Sequence, residues 1–101
     1  MTTPAPTTTV TLDTPIQRGE TTITEVTLRK PRAGELRGVK LAELLQMDVA
    51  TLRTVVPRIS TPMLLAADID AMDPADLLQI GTEVSGFLLT KATLASVSLT
   101  A

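Results

Sequence analysis

Three aspartates set close together, Asp68, Asp70 and Asp73, are the most chemically suggestive residues of the chain. Alternating acidic positions open the oxygen-rich loops that hold calcium, but the spacing soon departs from that pattern. With Asp68 as the first position, Asp73 falls where the sharp-turn glycine belongs and Gln79 where a bidentate glutamate belongs. Asp73 and Asp76 form a second carboxylate pair at helical spacing, with no apolar pocket or second functional group legible beside them. Gly34 and Gly38 are too sparse for a phosphate cradle, which also needs a lysine followed by serine or threonine. Histidine and cysteine are absent. Imidazole acid–base chemistry, thiolate metal sites and disulfides are thereby removed, and only carboxylates, Lys, Arg, Ser and Thr remain as reactive groups. The residues imply no enzyme, no metal and no cofactor.

The chain must therefore act through its surfaces. At 101 residues it is expected to form one domain, and with 1% aromatic residues its core must be built from Leu, Val, Ile and Met. So small an aliphatic core makes self-association a natural remedy, hence a homo-oligomer. The net charge of -2 gives no electrostatic case for nucleic acid or an anionic membrane. No apolar run approaches the length of a membrane span, and Met1 to Thr8 lacks the basic-then-apolar order of a signal peptide. A soluble, intracellular protein is expected.

Periodicity places the elements. Pro4 and Pro6 make residues 1–8 a disordered tail. Val10, Leu12 and Ile16 in Thr-rich surroundings read as a strand, with Pro15 at a sheet edge or at the strand's end. Arg18, Gly19 and Glu20 turn the chain, and TTITEVTLR returns it, forming a hairpin over residues 9–30. In the returning strand Ile23 is odd whereas Val26 and Leu28 are even, so a bulge is expected near Thr24 and Glu25. Pro31 ends the β texture and residues 33–89 are helical, with Gly34 and Gly38 dividing the first segment. Asp48 caps a second helix that Pro57 should end or kink, Ser60-Thr61-Pro62 is a break, and residues 63–72 form a short helix. Asp73, with Pro74 at the first helical position, opens the longest helix, read to about Leu89. Its stripe is Leu77, Ile80, Val84, Phe87 and Leu88, with Asp76 and Glu83 off it. Residues 90–101 match no period and form a tail, frayed or ordered by a partner. The fold class is α+β: an N-terminal antiparallel β-hairpin followed by a small bundle of three to five short α-helices.

Charge is divided along this order. From Arg29 to Arg58 seven cations face three anions, and beyond Arg58 the balance reverses. Arg29, Lys30, Arg32, Arg37 and Lys40 are therefore a candidate charged interface.

The ordered series of Glu25-Val26-Thr27-Leu28-Arg29, Pro31-Arg32-Ala33-Gly34-Glu35-Leu36-Arg37-Gly38, Leu44-Leu45 ahead of Asp48, and Asp73-Pro74-Ala75-Asp76-Leu77 carries a resemblance. From about Val10 to Leu89 the chain resembles the tail assembly chaperone family of tailed bacteriophages, specifically the small proteins of Mu-like contractile-tailed phages. It departs at Leu65-Ala66-Ala67-Asp68, where such proteins open the short helix with Thr and acidic residues. The resemblance implies a non-enzymatic factor that holds the tape measure protein soluble during tail tube assembly, with the tail tube protein as a further partner. It implies action in the cytoplasm of the infected host and absence from the mature virion. Genes of such proteins are often read in two frames, and this chain is expected to be the short form. For client binding, the apolar candidates are Met63, Leu64, Leu65, Ile69, Leu78 and Leu89. The alternative expectation is a small homo-oligomeric adaptor or regulatory subunit without a client.

Overall fold

Val, Ile and Thr are stiff at the first side-chain torsion and fit a pleated surface, and they dominate the two strands that begin the fold. The computed structural model describes residues 6–89. β1 (Thr7–Arg18) and β2 (Thr21–Arg29) pair antiparallel around Gly19, whose positive φ of 59° suits the tight turn. β1 already includes Thr7 and Thr8, opposite Arg29 and Leu28, so the expected N-terminal tail ends earlier than residue 8. The strand also runs through Pro15, which lies on the sheet's edge and does not end it.

Val10 faces Val26, and Ile16 faces Ile23, all four turned to the core. Between these pairs Leu12, Asp13, Thr14 and Pro15 of β1 stand opposite Thr24 alone. The irregularity thus occurs where the change of phase in β2 pointed, but the extra residues belong to β1. A third strand, β3 (Ser60–Thr61), pairs with Leu28 and Thr27, making a sheet ordered β1-β2-β3. Two residues are too few to show a period, which is why this stretch reads as a break.

The remaining segments cover one face of the sheet. Arg32 leads into a single 3-10 turn, Ala33–Leu36, followed by Gly38 at φ 82° and then α1 (Leu41–Leu45). The left-handed Gly38 separates the two pieces. α1 closes with Met47 in the left-handed region at φ 57°, where the amide of Asp48 donates to Glu43 O and that of Met47 to Leu44 O, both at 3.0 Å. Asp48 then caps α2 (Val49–Ile59), accepting from Thr51 N at 3.0 Å. Pro57 lies inside the last turn of α2, and the helix continues to Ile59. The expected helix over 63–72 contracts to α3 (Ala66–Asp70). Asp73 caps α4 (Pro74–Gly86) at Ala75 N, 2.8 Å, and the chain continues through Leu89 in single turns.

α4 packs against β1 and α2 against β2. The core between them takes Leu12 and Leu28 from the sheet, Leu44 from α1, and Leu52, Val55, Val56 and Ile59 from α2. Ile80 and Val84 of α4 complete it. Gly81 sits where α4 meets the α1–α2 corner, since a Cβ there would stand 3.1 Å from Leu52 Cδ1 and 3.3 Å from Met47 Cγ. Residues 90–101, the expected tail, lie outside the described residues.

One polar group of α4 is as buried as its apolar neighbours. Asp76 is 1% exposed, although helical spacing alone puts it off the apolar stripe. Its Oδ1 accepts from Asp13 N at 2.7 Å and its Oδ2 from Thr14 N at 3.0 Å. These are amides that the irregular stretch of β1 turns away from β2, so the carboxylate supplies acceptors in place of the ladder. Thr14 Oγ1 adds a bond to Asp73 Oδ2 at 3.2 Å. The bulge of β1 is thereby seated on the positive end of α4.

Candidate functional site

The three aspartates with calcium-like spacing serve separate structural purposes. Asp68 accepts from Leu65 N at 2.8 Å and pairs with Arg18. Asp70 pairs with Arg53 at 2.9 Å, and Asp73 caps α4. The backbone amide of Leu65 and then the Arg18 guanidinium hold the Asp68 carboxyl below its ordinary range. This side chain also explains how α3 starts without a polar cap residue: its N3 carboxylate satisfies the amide of Leu65 from within the helix.

The apolar candidates do not form one site. Leu64 is fully buried and Ile69 is 2% exposed, so both belong to the core and neither is available to a partner. Leu64 is drawn inward by its own amide, which donates to the buried hydroxyl of Ser60 at 2.9 Å. Its neighbours Met63 and Leu65 remain exposed at the approach to α3. Leu78, 59% exposed, stands on the outer side of α4 beside Met47, Val49 and Leu77 in a shallow hollow of about 190 Å³. Leu89 is half-buried and contributes to a different, larger depression.

That depression is an open groove of about 520 Å³ at the C-terminal end of α4. One side is built by Pro31, Ala33 and Leu36 around the 3-10 turn, and by Val39 and Leu41 at the entry to α1. Phe87, Leu88 and Leu89 form the other, and Lys30 stands at its margin. Leu36, Val39, Phe87 and Leu88 back onto the core, whereas Leu41 is 55% exposed. Helical spacing puts Phe87 and Leu88 of this groove on the stripe of the last helix. It misses Leu41, because the left-handed turn at Gly38 resets the direction of the chain and with it the period. The usable signal was local: an apolar residue three positions after a glycine, at the first position of a new helix.

Of the candidate cations, Lys30 lines this groove, whereas Arg37 lines a separate hollow with Gly34, Glu35 and Arg58. Arg29 is committed internally, donating from Nη1 to Glu35 Oε1 at 2.6 Å, pairing through Nη2 with Glu35 Oε2, and reaching Arg58 O at 3.0 Å. Arg58 Nη1 in turn donates to Glu35 O at 2.7 Å and Arg37 O at 3.3 Å, while Glu35 Oε1 also accepts from Arg32 N at 3.0 Å. This latch ties the end of β2 and the end of α2 to the 3-10 turn that forms the groove wall. Lys30, Arg32, Arg37 and Lys40 keep exposed side chains, the last only 3.9 Å from Glu43 across an open (i, i+3) pair.

The latch carries a pH signature. Its bonds from Arg29 and then from Arg32 N lower the Glu35 pKa from 4.5 to about 2, and Glu35 in turn raises that of Arg29. A carboxyl whose folded pKa is depressed stabilises the fold above its unfolded value, and that contribution is lost as pH falls. Here the loss runs from pH 4.5 down through about 2. In a side-chain carboxyl NMR titration, Glu35 is expected to have its midpoint at about 2, and Glu35→Gln should flatten the acid limb of stability over that interval. A Glu35 midpoint near 4.5 would show that the latch is open in solution.

A family model described as phage tail assembly chaperone proteins, E, or 41 or 14, matches residues 9–89. Among curated relatives, tail assembly protein E of Escherichia phage P2 is 46% identical over 79 residues, which cover 78% of this chain and 87% of that protein. Tail assembly protein E′ of the same phage is 44% identical over 82 residues, 81% of this chain. The chain spans 58% of the length of that longer relative. No solved structure matches the chain.

Proposed function

The chain belongs to the phage tail assembly chaperone family, and from its role in tail assembly we propose that it binds the tape measure protein and keeps it soluble while the tail tube is built. The observation that carries this reading is the surface. Leu41, Leu45, Val49, Met63, Leu65 and Leu78 are each at least 45% exposed on a domain whose core is already closed by other residues. Apolar surface in such quantity on a small domain has a use in covering apolar surface elsewhere. A long helical protein awaiting its tube presents such a surface, and helix-in-groove packing would cover it without chemistry. The function is non-enzymatic, is exercised in the cytoplasm of the infected host, and ends before the mature virion, with the tail tube protein as a second partner.

Co-expression of the tape measure protein with and without the full chain tests this. With the chain present, the tape measure protein is expected in the soluble fraction and in a complex that co-purifies. A tape measure protein that is equally soluble alone, or that never co-purifies, overturns the reading. If the chain then proves to be a stable homo-oligomer by light scattering, it is an adaptor without a client.

A further inference from the structure

β1 is an outer strand of the sheet, and the start of its outer side has no main-chain partner among the described residues. The amide of Lys30 donates to Pro6 O at 2.8 Å, which makes Pro6 and Lys30 a hydrogen-bonded pair of the antiparallel ladder. Bonded pairs alternate with pairs whose main-chain groups turn away. Thr8 with Leu28 and Val10 with Val26 are therefore bonded, and Thr7, Thr9 and Thr11 direct their amides and carbonyls outward. The approach of Thr9 Oγ1 to Thr27 Oγ1, 3.2 Å, fits the closer side chains of a non-bonded pair. Edges of this kind are ordinarily blunted by charge, proline, brevity, a bulge or a covering element. β1 is blunted only beyond Leu12, where Asp76 takes the amides of Asp13 and Thr14 and Pro15 has none to offer. The opposite side of the sheet ends in β3, two residues long and followed by Pro62. From Thr7 to Leu12 there is neither charge nor proline, and the three outward threonines are exposed.

We infer that this edge pairs with the same edge of a second copy of the chain, antiparallel about a two-fold axis through Thr9. The edge itself selects that occupant. A two-fold sets Thr9 opposite its own copy and Thr7 opposite Thr11 of the second chain, so the outward residues read alike in both directions, as an isologous contact requires. In this register all three become bonded pairs, giving about six hydrogen bonds between the chains. Moving the axis to Val10 would set Thr7 against Asp13, whose amide Asp76 already holds. On the core side the register about Thr9 places half-buried Thr8 beside Val10 of the second copy, and on the outer side it sets threonine against threonine, a favourable cross-strand combination. Like charges meet nowhere along the contact, since none lies between Thr7 and Leu12. The two three-stranded sheets become one continuous sheet. This contact is independent of the client reading above and uses none of the apolar surface assigned to it.

Sedimentation velocity and amide hydrogen exchange of the full chain test the inference. A dimer is expected as concentration is raised, and in it the amides of Thr7, Thr9 and Thr11 should exchange at least about tenfold more slowly than in dilute protein. Thr9→Lys and Thr9→Glu should each dimerise at least about tenfold more weakly at low salt, because the axis sets each new charge against itself. Both substitutions lie at an exposed position and should leave the circular dichroism spectrum unchanged. Mixed in equal amounts, the two variants should recover the dimer, since opposite charges then face each other across the axis. Such a rescue is beyond a variant that has merely unfolded. A parent that stays monomeric at about 1 mM overturns the inference, as does a dimer that both variants form with parent affinity. Variants that weaken the dimer singly and fail to restore it when mixed overturn the two-fold about Thr9. Slow exchange of the three amides that persists unchanged in the dilute monomer assigns the edge to residues 1–5 or 90–101 of the same chain, and that result overturns the inference as well.

Discussion

Replacing Asp76 with alanine is expected to remove about 3 kcal/mol of unfolding free energy, lowering the melting temperature by about 12–24 °C. The side chain is 1% exposed and each of its oxygens accepts one backbone amide of β1. An unsatisfied buried donor costs about 1–3 kcal/mol, and loss of an anion from the first turn of a helix costs about 0.3–1 kcal/mol more. Asp13 and Thr14 are themselves exposed residues, so water relieves part of this, and the central figure is set accordingly. Asp76→Asn keeps the volume and one acceptor but points an amide group at the second donor, and should recover no more than about half of the loss. Thermal unfolding of the two variants, with hydrogen exchange at Asp13 and Thr14, gives the answer. An alanine variant melting within about 3 °C of the parent would mean that these amides find other partners in solution.

The second large effect is expected at Leu64. Leu64→Asp should leave no cooperative unfolding transition at 37 °C, because truncating a buried leucine alone costs about 2–5 kcal/mol and the substitution adds a carboxylate without a partner. Together these consume most of the about 5–15 kcal/mol that stabilises a small domain. Leu78→Asp is the contrast. At 59% exposure on the outer side of α4 it is expected to change stability by no more than about 0.5 kcal/mol. Circular dichroism and urea titration of both variants compare them directly. A folded, cooperative Leu64→Asp would place this residue on the surface after all.

These two residues also show what local sequence reasoning can and cannot reach. Asp73-Pro74 announces a helix start, and the cap forms as expected because donor and acceptor are two residues apart. Asp76 follows the same grammar, an acid in the first turn, and that sufficient local reason conceals partners 62 and 63 residues away. The hairpin was legible from its alternation, and the place of the irregularity from Ile23 and Val26. The bulged strand was not, since Val10, Leu12 and Ile16 keep one parity through the extra residues. The helical pattern over residues 63–72 makes Leu64 a client-binding candidate on the late helices. In the fold it precedes α3, and the bond to Ser60 decides its direction. Of the groove, one wall follows Lys30 along the chain and the other comes from the distant end of α4, a meeting that no local pattern announces. Only Leu89 among the apolar candidates belongs to it.

The seat that Asp76 makes for β1 has a consequence for the order of events during synthesis. The hairpin leaves the ribosome before the helices that follow it, and its turn at Gly19 can close while they are still to be made. At that time the amides of Asp13 and Thr14 have only water to bind, so the pairing of Ile16 with Ile23 competes with slipped registers that extend the ladder directly from Thr11. The acceptor that distinguishes the native register arrives only when α4 begins. A residue 62 to 63 positions downstream thus proofreads a pairing made before it, and a nascent chain halted before Asp76 holds a hairpin whose alignment has not yet been decided.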